Sequence, residues 1–252
     1  TLSTLNAQIG RLHASLILEV LANWGVEVSE VDAIASHGQT VMHRPDRTGK
    51  LPHSTLQIGD GDHIAQLTGI ITLSDFRQRH VAAGGEGAPL AMFGDYFLFS
   101  KKGENRILLN IGGIGNFTYL PASGDPAGIL VTDTGPGNTL IDAAVRRYFN
   151  QAYDEDGAIA HSGKIDAGIL AELMSLSFFK DQFPKSTGPE YFNLDIVRAS
   201  ISPADLVATL TEFTAQSIAL AMKTYIPSGI DGTVYVSGGG SKNPVIMARL
   251  AD

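Results

Sequence analysis

The stretch Asp133-Thr134-Gly135-Pro136-Gly137-Asn138 combines a carboxylate with two glycines and is the part of the sequence best suited to chemistry. Glycine adopts backbone angles that other residues resist, and the proline between the glycines restricts the bend, so the stretch predicts a turn that holds Asp133 in place. A held carboxylate can take a proton from water or from a sugar hydroxyl during transfer to phosphate. The stretch therefore predicts Asp133 as a general base. The alternative is a plain turn in which Asp133 caps the following helix.

Two glycine clusters have the composition of turns that bind phosphate or nucleotide. The turn within Asn110–Asn116 offers successive backbone N–H groups to an anion such as a nucleotide phosphate, and a tight structural hairpin is the alternative. Gly238-Gly239-Gly240 follows a predicted strand and precedes a predicted helix, so a nucleotide can lie on its backbone near the positive helix end. The alternative there is a strand-to-helix turn without a ligand. Neither cluster matches the Walker phosphate loop or the dinucleotide-binding fingerprint.

Three smaller polar groups remain. Arg77 precedes the glycine-rich run 83–90, where its guanidinium can pair with a substrate carboxylate; an ion pair with Asp75 is the alternative. His37 and His43 flank a Gly-Gln-Thr segment, and we expect hydrogen-bonded structural histidines there rather than metal ligands. The acidic run 154–156 is expected to be a solvated face, and no metal site is predicted from its spacing.

The elements that must position these residues follow from periodicity. Helical spacing is present in 5–24, which ends at Gly25, and in 139–150, in one segment near 166–178, in the long run from the Ser202 cap to Tyr225, and in 244–250. Strands are predicted at 32–36, 106–111, 117–120 and 233–237. Strands and helices that alternate in this way indicate an α/β chain. The polar stretch 101–104 is the best boundary, which gives domains 1–100 and 101–252.

Composition excludes several classes of protein. The net charge of −8 argues against nonspecific nucleic-acid binding, which needs a basic surface. No nucleic acid is therefore expected as a partner. No apolar run approaches the ~20 residues of a membrane span, so a membrane is not an expected partner either. With no cysteines, disulfides and cysteine metal sites are excluded. The first residues lack a basic stretch followed by an apolar core, so a cytoplasmic location is expected.

Taken together, the motifs resemble those of the anhydro-N-acetylmuramic acid kinase family, in the actin-like, sugar-kinase superfamily. The resemblance spans nearly the whole chain. Its motifs occur in the family's order: 36–40 with His43, 75–77 with 84–90, 110–120, 133–142, 153–157, 184–193 and 236–244. The implied fold is a two-lobed actin-like (ribonuclease H-like) ATPase fold of mixed sheets flanked by helices, with the phosphate hairpin and the adenosine motif in the second lobe.

The resemblance implies an ATP- and Mg²⁺-dependent sugar kinase of peptidoglycan recycling, with an amino sugar as its substrate. It implies that Asp133 is the base, with Asp142 as runner-up. It implies a set of sugar-binding residues, Arg77, Gln39, Gly135 and Asn138. It also implies a set of nucleotide-binding residues, Gly112, Gly113, Asn116, Gly238, Gly239, Gly240 and Asn243. A homodimer is a further implication. The alternatives to this function are another sugar kinase, a phosphatase-like member of the superfamily, or a noncatalytic binding fragment.

The sequence also departs from the family pattern. The family usually opens with a Gly-Thr-Ser hairpin that grips ATP phosphates and continues beyond the adenosine motif, so a fragment is expected here. His80 stands where Asp is usual, Glu86 where Gln is usual, and Gly115 where Ala is usual. The change at His80 concerns the substrate side of the site.

Overall fold

The computed structural model of the chain describes residues 1–44, 46, 50–88, 90–197 and 201–251, which form two compact units, Thr1–Leu90 and Ala91–Asp252. Pro89, within one of the motifs above, lies outside the described residues. Across the described ranges, no helix is long and apolar enough to cross a membrane. Helices flank both parallel and antiparallel strand pairs, so the predicted mixed α/β class is confirmed.

The first unit contains three helices and two small sheets. Its helices are α1 (Leu2–Trp24), α2 (Gly61–Thr68) and α3 (Phe76–Ala82). Its strands are β1 (Ile34–Ser36), β2 (Gln39–Arg44), β3 (Ser54–Ile58) and β4 (Thr72–Ser74). β1 pairs with β4 in parallel, and β2 pairs with β3 antiparallel. The helix predicted at 5–24 is confirmed, and Gly25 ends it at φ 66 in the left-handed region.

The second unit is built on one four-stranded sheet. Its strands are β5 (Asn105–Ile111), β6 (Ile114–Leu120), β7 (Leu130–Pro136) and β8 (Gly232–Ser237). Its helices are α4 (Ala91–Phe99), α5 (Thr139–Phe149), α6 (Ala158–Ser162), α7 (Ala167–Met174), α8 (Pro203–Tyr225) and α9 (Pro244–Ala251). The strand order is β7-β6-β5-β8, in which only the β5–β8 pair is parallel.

Alternation along β5 explains how the sheet meets the core. Ile107, Leu109 and Ile111 are buried, while the residues between them are partly exposed, because successive side chains of a strand point to opposite faces. The long helix α8 contacts the same sheet at β7 and, to a smaller extent, at β6. Its start is the predicted cap: Ser202 Oγ accepts a hydrogen bond from the Asp205 N–H at 3.2 Å, and Pro203 occupies the first turn.

Two local predictions about the site region are wrong. Asp133 does not lie in a turn; it lies within β7, where the β-branched, buried Thr132 and Thr134 favour an extended backbone. Asp133 also does not cap α5, because Asn138 occupies the cap position. The hairpin at 106–120 is confirmed, but its turn is only Gly112-Gly113, since β6 already begins at Ile114.

The boundary between the two compact units precedes α4, whereas the sequence prediction placed the boundary after residue 100. Two contacts attach α4 to the four-stranded unit. The Tyr96 hydroxyl donates to Gly124 O at 3.0 Å, and the Thr118 hydroxyl donates to Asp95 Oδ2 at 2.6 Å.

Thr214 on α8 provides a test of how this helix supports the Gly137 turn. Its fully buried hydroxyl donates to Gly137 O at 2.8 Å. We expect Thr214→Val to lower the free energy of unfolding by about 1–3 kcal/mol, because a buried carbonyl loses its partner. Urea unfolding measures this, with Thr224→Val as control, since the Thr224 hydroxyl donates to Leu220 O on the exposed face of the same helix. Equal losses in the two variants would contradict the expectation.

Candidate active site

Asp133 is held by a segment that lies far away in sequence. Its Oδ2 accepts a hydrogen bond from the Thr187 N–H at 2.7 Å, and its own N–H donates to Lys185 O at 3.0 Å. Burial raises the pKa of the Asp133 carboxyl from 3.8 to about 6, and the Thr187 hydrogen bond opposes that rise. A carboxylate with a pKa near neutrality is largely ionised at pH 7 and still basic enough to accept a proton in a transition state.

A row of polar residues crosses all four strands at Asp133. In the sheet register, Asp133 pairs with Asn116, Asn116 with Asn110, and Asn110 with Ser237. Residues directly opposite each other on neighbouring strands point to the same face of the sheet. The row therefore runs from the predicted base to the residue immediately before the triple glycine. It includes the predicted ligand residue Asn116.

The Gly112-Gly113 turn lies against the start of α5. The N–H groups of Gly137 and Asn138 donate to Gly113 O and Gly112 O, both at 2.8 Å, and the Asn138 side chain donates to Ile111 O and Gly112 O at 3.1 and 3.0 Å. A Cβ on Gly137 would lie 2.2 Å from Gly112 O, so no other residue permits this approach. The turn thus directs its carbonyl groups to the helix. In the described part of the chain, the N–H groups of Gly112 and Gly113 make no backbone hydrogen bond.

The three glycines at 238–240 have different environments. Gly238 has φ 84, and a Cβ there would lie 2.6 Å from Ile111 O. A Cβ on Gly240 would lie 2.3 Å from Ile111 Cγ2. A Cβ on Gly239 would meet only Asn138 Nδ2, at 3.7 Å. The outer two glycines are therefore required by packing against the end of β5, and Gly239 alone has open space before it.

Gly239 opens onto a cavity of about 470 Å³. Its walls come from the starts of α5 and α9 and from the loop before α6: Asn138, Ile141, Asp142, Tyr153, Asp154, Glu155, Asp156, Gly239, Lys242 and Asn243. The volume lies within the range of small-molecule pockets, about 300–1,000 Å³. Burial raises the pKa of Asp142, and nearby Arg146 opposes the rise. The cavity thus combines an acidic wall with one lysine.

The prediction of a solvated acidic face at 154–156 is wrong for Asp154. Its two carboxylate oxygens accept hydrogen bonds from the Ile159 and Ala160 N–H groups at 2.8 and 3.0 Å, at the start of α6, and the residue is buried. Glu155 and Asp156 are exposed as expected. Asn243 has a similar capping role, because its Oδ1 accepts from the Val245 and Ile246 N–H groups in α9.

In the first unit, Arg77 binds His37. Arg77 Nε donates to His37 Nε2 at 2.9 Å, and His37 Nδ1 lies 3.0 Å from Gly38 O. The two bonds together require a neutral His37 with its proton on Nδ1. Burial lowers the pKa of Arg77 and raises that of Asp75. Gln39 begins β2, with its side chain exposed.

A cleft of about 330 Å³ lies beside His37 and is lined by Ser36, Ser74, Asp75 and Gln78 among others.

Comparison with known proteins decides the family. The sequence model described as Anhydro-N-acetylmuramic acid kinase matches residues 1–252. The chain belongs to the anhydro-N-acetylmuramic acid kinase family. The member named Anhydro-N-acetylmuramic acid kinase from Pseudoalteromonas atlantica (strain T6c / ATCC BAA-1087) is 46% identical over 258 aligned residues, which cover 98% of this chain and 64% of that protein. The Coxiella burnetii (strain Dugway 5J108-111) protein of the same name is 43% identical over 96% of this chain and 65% of its own length.

The chain thus spans slightly less than two thirds of these curated family members. Among solved structures, xylulose kinase from Rhodospirillum rubrum is similar at 18% identity and a TM-score of 0.41, over 80% of this chain and 42% of that one. A likeness this low carries no conclusion about the fold or the activity of the chain.

Two of the family departures have local explanations. His80 Nδ1 accepts a hydrogen bond from the Gly87 N–H at 3.0 Å, so His80 fixes the glycine-rich turn that follows α3. A Cβ on Gly115 would lie 2.5 Å from Thr134 Oγ1, so glycine fits beside the extra β7 residue at this register shift.

Sequence analysis included 184–193 among the family motifs but did not connect this segment with Asp133. Lys185 and Thr187 lie more than 50 residues away from Asp133, and a backbone N–H leaves no signature in the residue type. Tyr153, Asp142 and Lys242 were likewise not assigned to one cavity, because they come from three separate segments. A family motif does include 153–157, which is the one signal that pointed to this wall.

Asp133→Asn tests whether burial raises the pKa of the Asp133 carboxyl. Folding raises the Asp133 pKa to about 6. The protonated Asp133 carboxyl therefore contributes fully to the stability of the fold below pH 4, and this contribution is lost as the pH rises through 6. The asparagine variant should therefore gain stability relative to the parent between pH 4 and 7, by at most about 3 kcal/mol. Denaturant unfolding at several pH values measures the difference. Asp231→Asn controls for the loss of an exposed carboxylate, and a pH-independent difference for Asp133→Asn contradicts the expectation.

The triple glycine provides a second test. Gly238→Ala should lower the free energy of unfolding by about 1–3 kcal/mol or more, because it combines a left-handed backbone with a backbone clash. Gly239→Ala should change it by less than about 0.5 kcal/mol. Thermal or urea unfolding of both variants distinguishes the positions. Similar losses at Gly238 and Gly239 contradict the assignment of open space to Gly239 alone.

Proposed function

We propose that the chain catalyses the ATP-dependent conversion of 1,6-anhydro-N-acetylmuramic acid and water to N-acetylmuramic acid 6-phosphate. The observation that carries this proposal is the Asp133 carboxylate, raised to a pKa of about 6 and aligned with Asn116 in a chain of this family. A general base for water needs this combination of fixed position and near-neutral pKa. The name shared by the curated relatives supports the choice of sugar.

The nucleotide is proposed to bind in the second unit. The acidic wall of the 470 Å³ cavity suits the hydroxyl and amino groups of a nucleoside, because carboxylates accept hydrogen bonds and repel phosphate. The phosphates are proposed to meet the N–H groups of Gly112 and Gly113, with Asn116 beside them. Gly239 is the triple-glycine residue that faces the cavity, whereas Gly238, Gly240 and Asn243 shape its wall.

In the proposed reaction, Asp133 takes a proton from water while the water oxygen forms a bond to the anomeric carbon. The bond between that carbon and the 6-oxygen breaks. The freed 6-oxygen attacks the γ-phosphorus of ATP, the bond to the bridging oxygen breaks, and ADP leaves. Asp133 then releases its proton to solvent. Most of the catalytic effect in phosphoryl transfer comes from positioning and charge stabilisation.

Four residues are proposed as sugar ligands on the family resemblance, and each is considered within its own unit. Arg77 is proposed to bind the lactyl carboxylate through its terminal N–H groups, since its Nε is bound to His37. Gln39 contributes an exposed amide. In Asn138 the amide nitrogen is taken by two carbonyl groups, so its Oδ1 is the atom proposed to meet the sugar. Gly135 contributes backbone, because a side chain there would lie 3.2 Å from Ser217 Oγ.

Mg²⁺ is proposed to arrive with the nucleotide. This ion prefers several waters, one or two carboxylates and the substrate phosphates. Among the described residues, no group of three or more His, Asp or Glu side chains could hold a metal ion. A homodimer is proposed on the family resemblance alone, and a cytoplasmic location stays an expectation from the sequence.

Mass spectrometry tests the proposal. The chain is incubated with 1,6-anhydro-N-acetylmuramic acid, ATP and Mg²⁺ in oxygen-18 water. We expect the sugar to gain one phosphate and one labelled water. Asp133→Asn should lower the rate by about 10²–10⁴-fold, because the base is lost, while ATP binding measured by calorimetry persists.

Other results point to other functions. Phosphorylation confined to sugars without the anhydro ring indicates a different sugar kinase, and release of phosphate from a phosphoester indicates a phosphatase-like enzyme. ATP binding without any transfer indicates a binding module. Unchanged turnover in Asp133→Asn removes Asp133 from the mechanism.

A further inference from the structure

Lys185 is a charged residue in an unusual position. Only 7% of the residue is exposed. Its ammonium donates to Phe178 O at 2.7 Å and lies 4.2 Å from the centre of the Phe178 ring. The rings of Phe179 and Tyr225 lie 5.7 and 5.9 Å away. Buried ammonium groups are costly unless they are bound, and a cation over aromatic faces is stabilised by the ring quadrupoles. This group is therefore firmly held.

The backbone of Lys185 is bound to β7 through both its carbonyl and its N–H, which donates to the Thr132 hydroxyl at 3.4 Å. Lys185 O accepts from the Asp133 N–H at 3.0 Å and from the Thr132 hydroxyl at 3.2 Å. Two residues later, the Thr187 N–H donates to Asp133 Oδ2 at 2.7 Å. The short segment 185–187 thus lies beside β7, bound to it by these hydrogen bonds, and places one donor on the carboxylate.

We propose that Lys185 is a positioning residue for Asp133: its ammonium, held by Phe178 and the surrounding rings, fixes segment 185–187 so that the Thr187 N–H stays on the carboxylate. The proposal deepens the proposed function, since it concerns the same base. It assigns to the lysine no contact with the sugar or the nucleotide. The side chain and the backbone of one residue thereby connect an aromatic cluster to the site.

The electrostatic surroundings are consistent with this role. Two causes set the pKa of Asp133: burial raises it, and the hydrogen bond from the Thr187 N–H lowers it. Neither cause is a charged side chain among the described residues. Near the ammonium, burial raises the pKa of the Tyr225 hydroxyl, and the charge of Asp181 adds to that rise. Of the two causes at Asp133, the hydrogen bond from the Thr187 N–H is the one that favours the ionised Asp133 carboxylate.

The test measures the titration midpoint of the Asp133 carboxyl by carbon-13 NMR at a series of pH values. The 252-residue chain is labelled at Asp Cγ, and the signal that disappears in Asp133→Asn is assigned to Asp133. In Lys185→Met the side chain keeps its length and apolar contacts but loses its charge. We expect the Asp133 midpoint to rise by about one pH unit, which leaves roughly fivefold less ionised carboxylate at pH 6. Lys180→Met removes an exposed lysine nearby and should leave the midpoint in place.

A second pair of variants tests the same claim if Lys185→Met does not fold. Thr187→Pro deletes the N–H and should raise the midpoint, whereas Thr187→Ala keeps the N–H and should not. A midpoint in folded Lys185→Met that stays at the parent value or falls overturns the proposal, as does an unchanged midpoint in Thr187→Pro. The readout needs no turnover. If the parent does not phosphorylate the sugar, the proposed function fails while the NMR titration still decides the role of Lys185.

Discussion

The contact between Gly137 and the Gly112-Gly113 turn is the constraint on which the second unit depends. Backbone meets backbone there so closely that a side chain on Gly137 has no room. The carbonyl groups of the turn accept from the N–H groups of Gly137 and Asn138 and from Thr139, whose N–H is the first of α5 and otherwise lacks a partner in the helix. From the other side, Thr214 of α8 binds Gly137 O. One glycine thus joins the hairpin, β7 and two helices.

This contact also separates two kinds of backbone group. Carbonyl oxygens point into the fold, where the helix start uses them, and the N–H groups of the turn stay available to an anion. Asp133, on the adjacent strand, has lost much of its water and gained one N–H donor. Burial therefore disfavours negative charge at Asp133 and raises the basicity of its carboxylate, while the neighbouring turn offers positive partial charge. Both properties arise from one arrangement of β5, β6 and β7.

Local patterns predicted the parts of the fold that depend on nearby residues. The short apolar run 106–111 before the glycine turn indicated β5, and the Ser202 cap indicated the start of α8, because each signal lies within a few residues of its effect. The extended conformation of Asp133 was missed, since glycine and proline after a carboxylate usually indicate a turn. Its support by Thr187 was missed because tertiary contacts leave no local trace. Motif resemblance supplied the family but no geometry.

The polar row across the sheet has a consequence for length variation. Side chains alternate between the two faces of a strand, so one residue inserted into β5 would turn Asn110 toward the core and Ile111 out of it. The packing of the core and the polar row across the sheet would be lost together. Insertions and deletions should therefore accumulate between β6 and β7, around the partly exposed turn at Pro126–Gly128, where a change of length leaves the alignment of Asn116 with Asp133 intact.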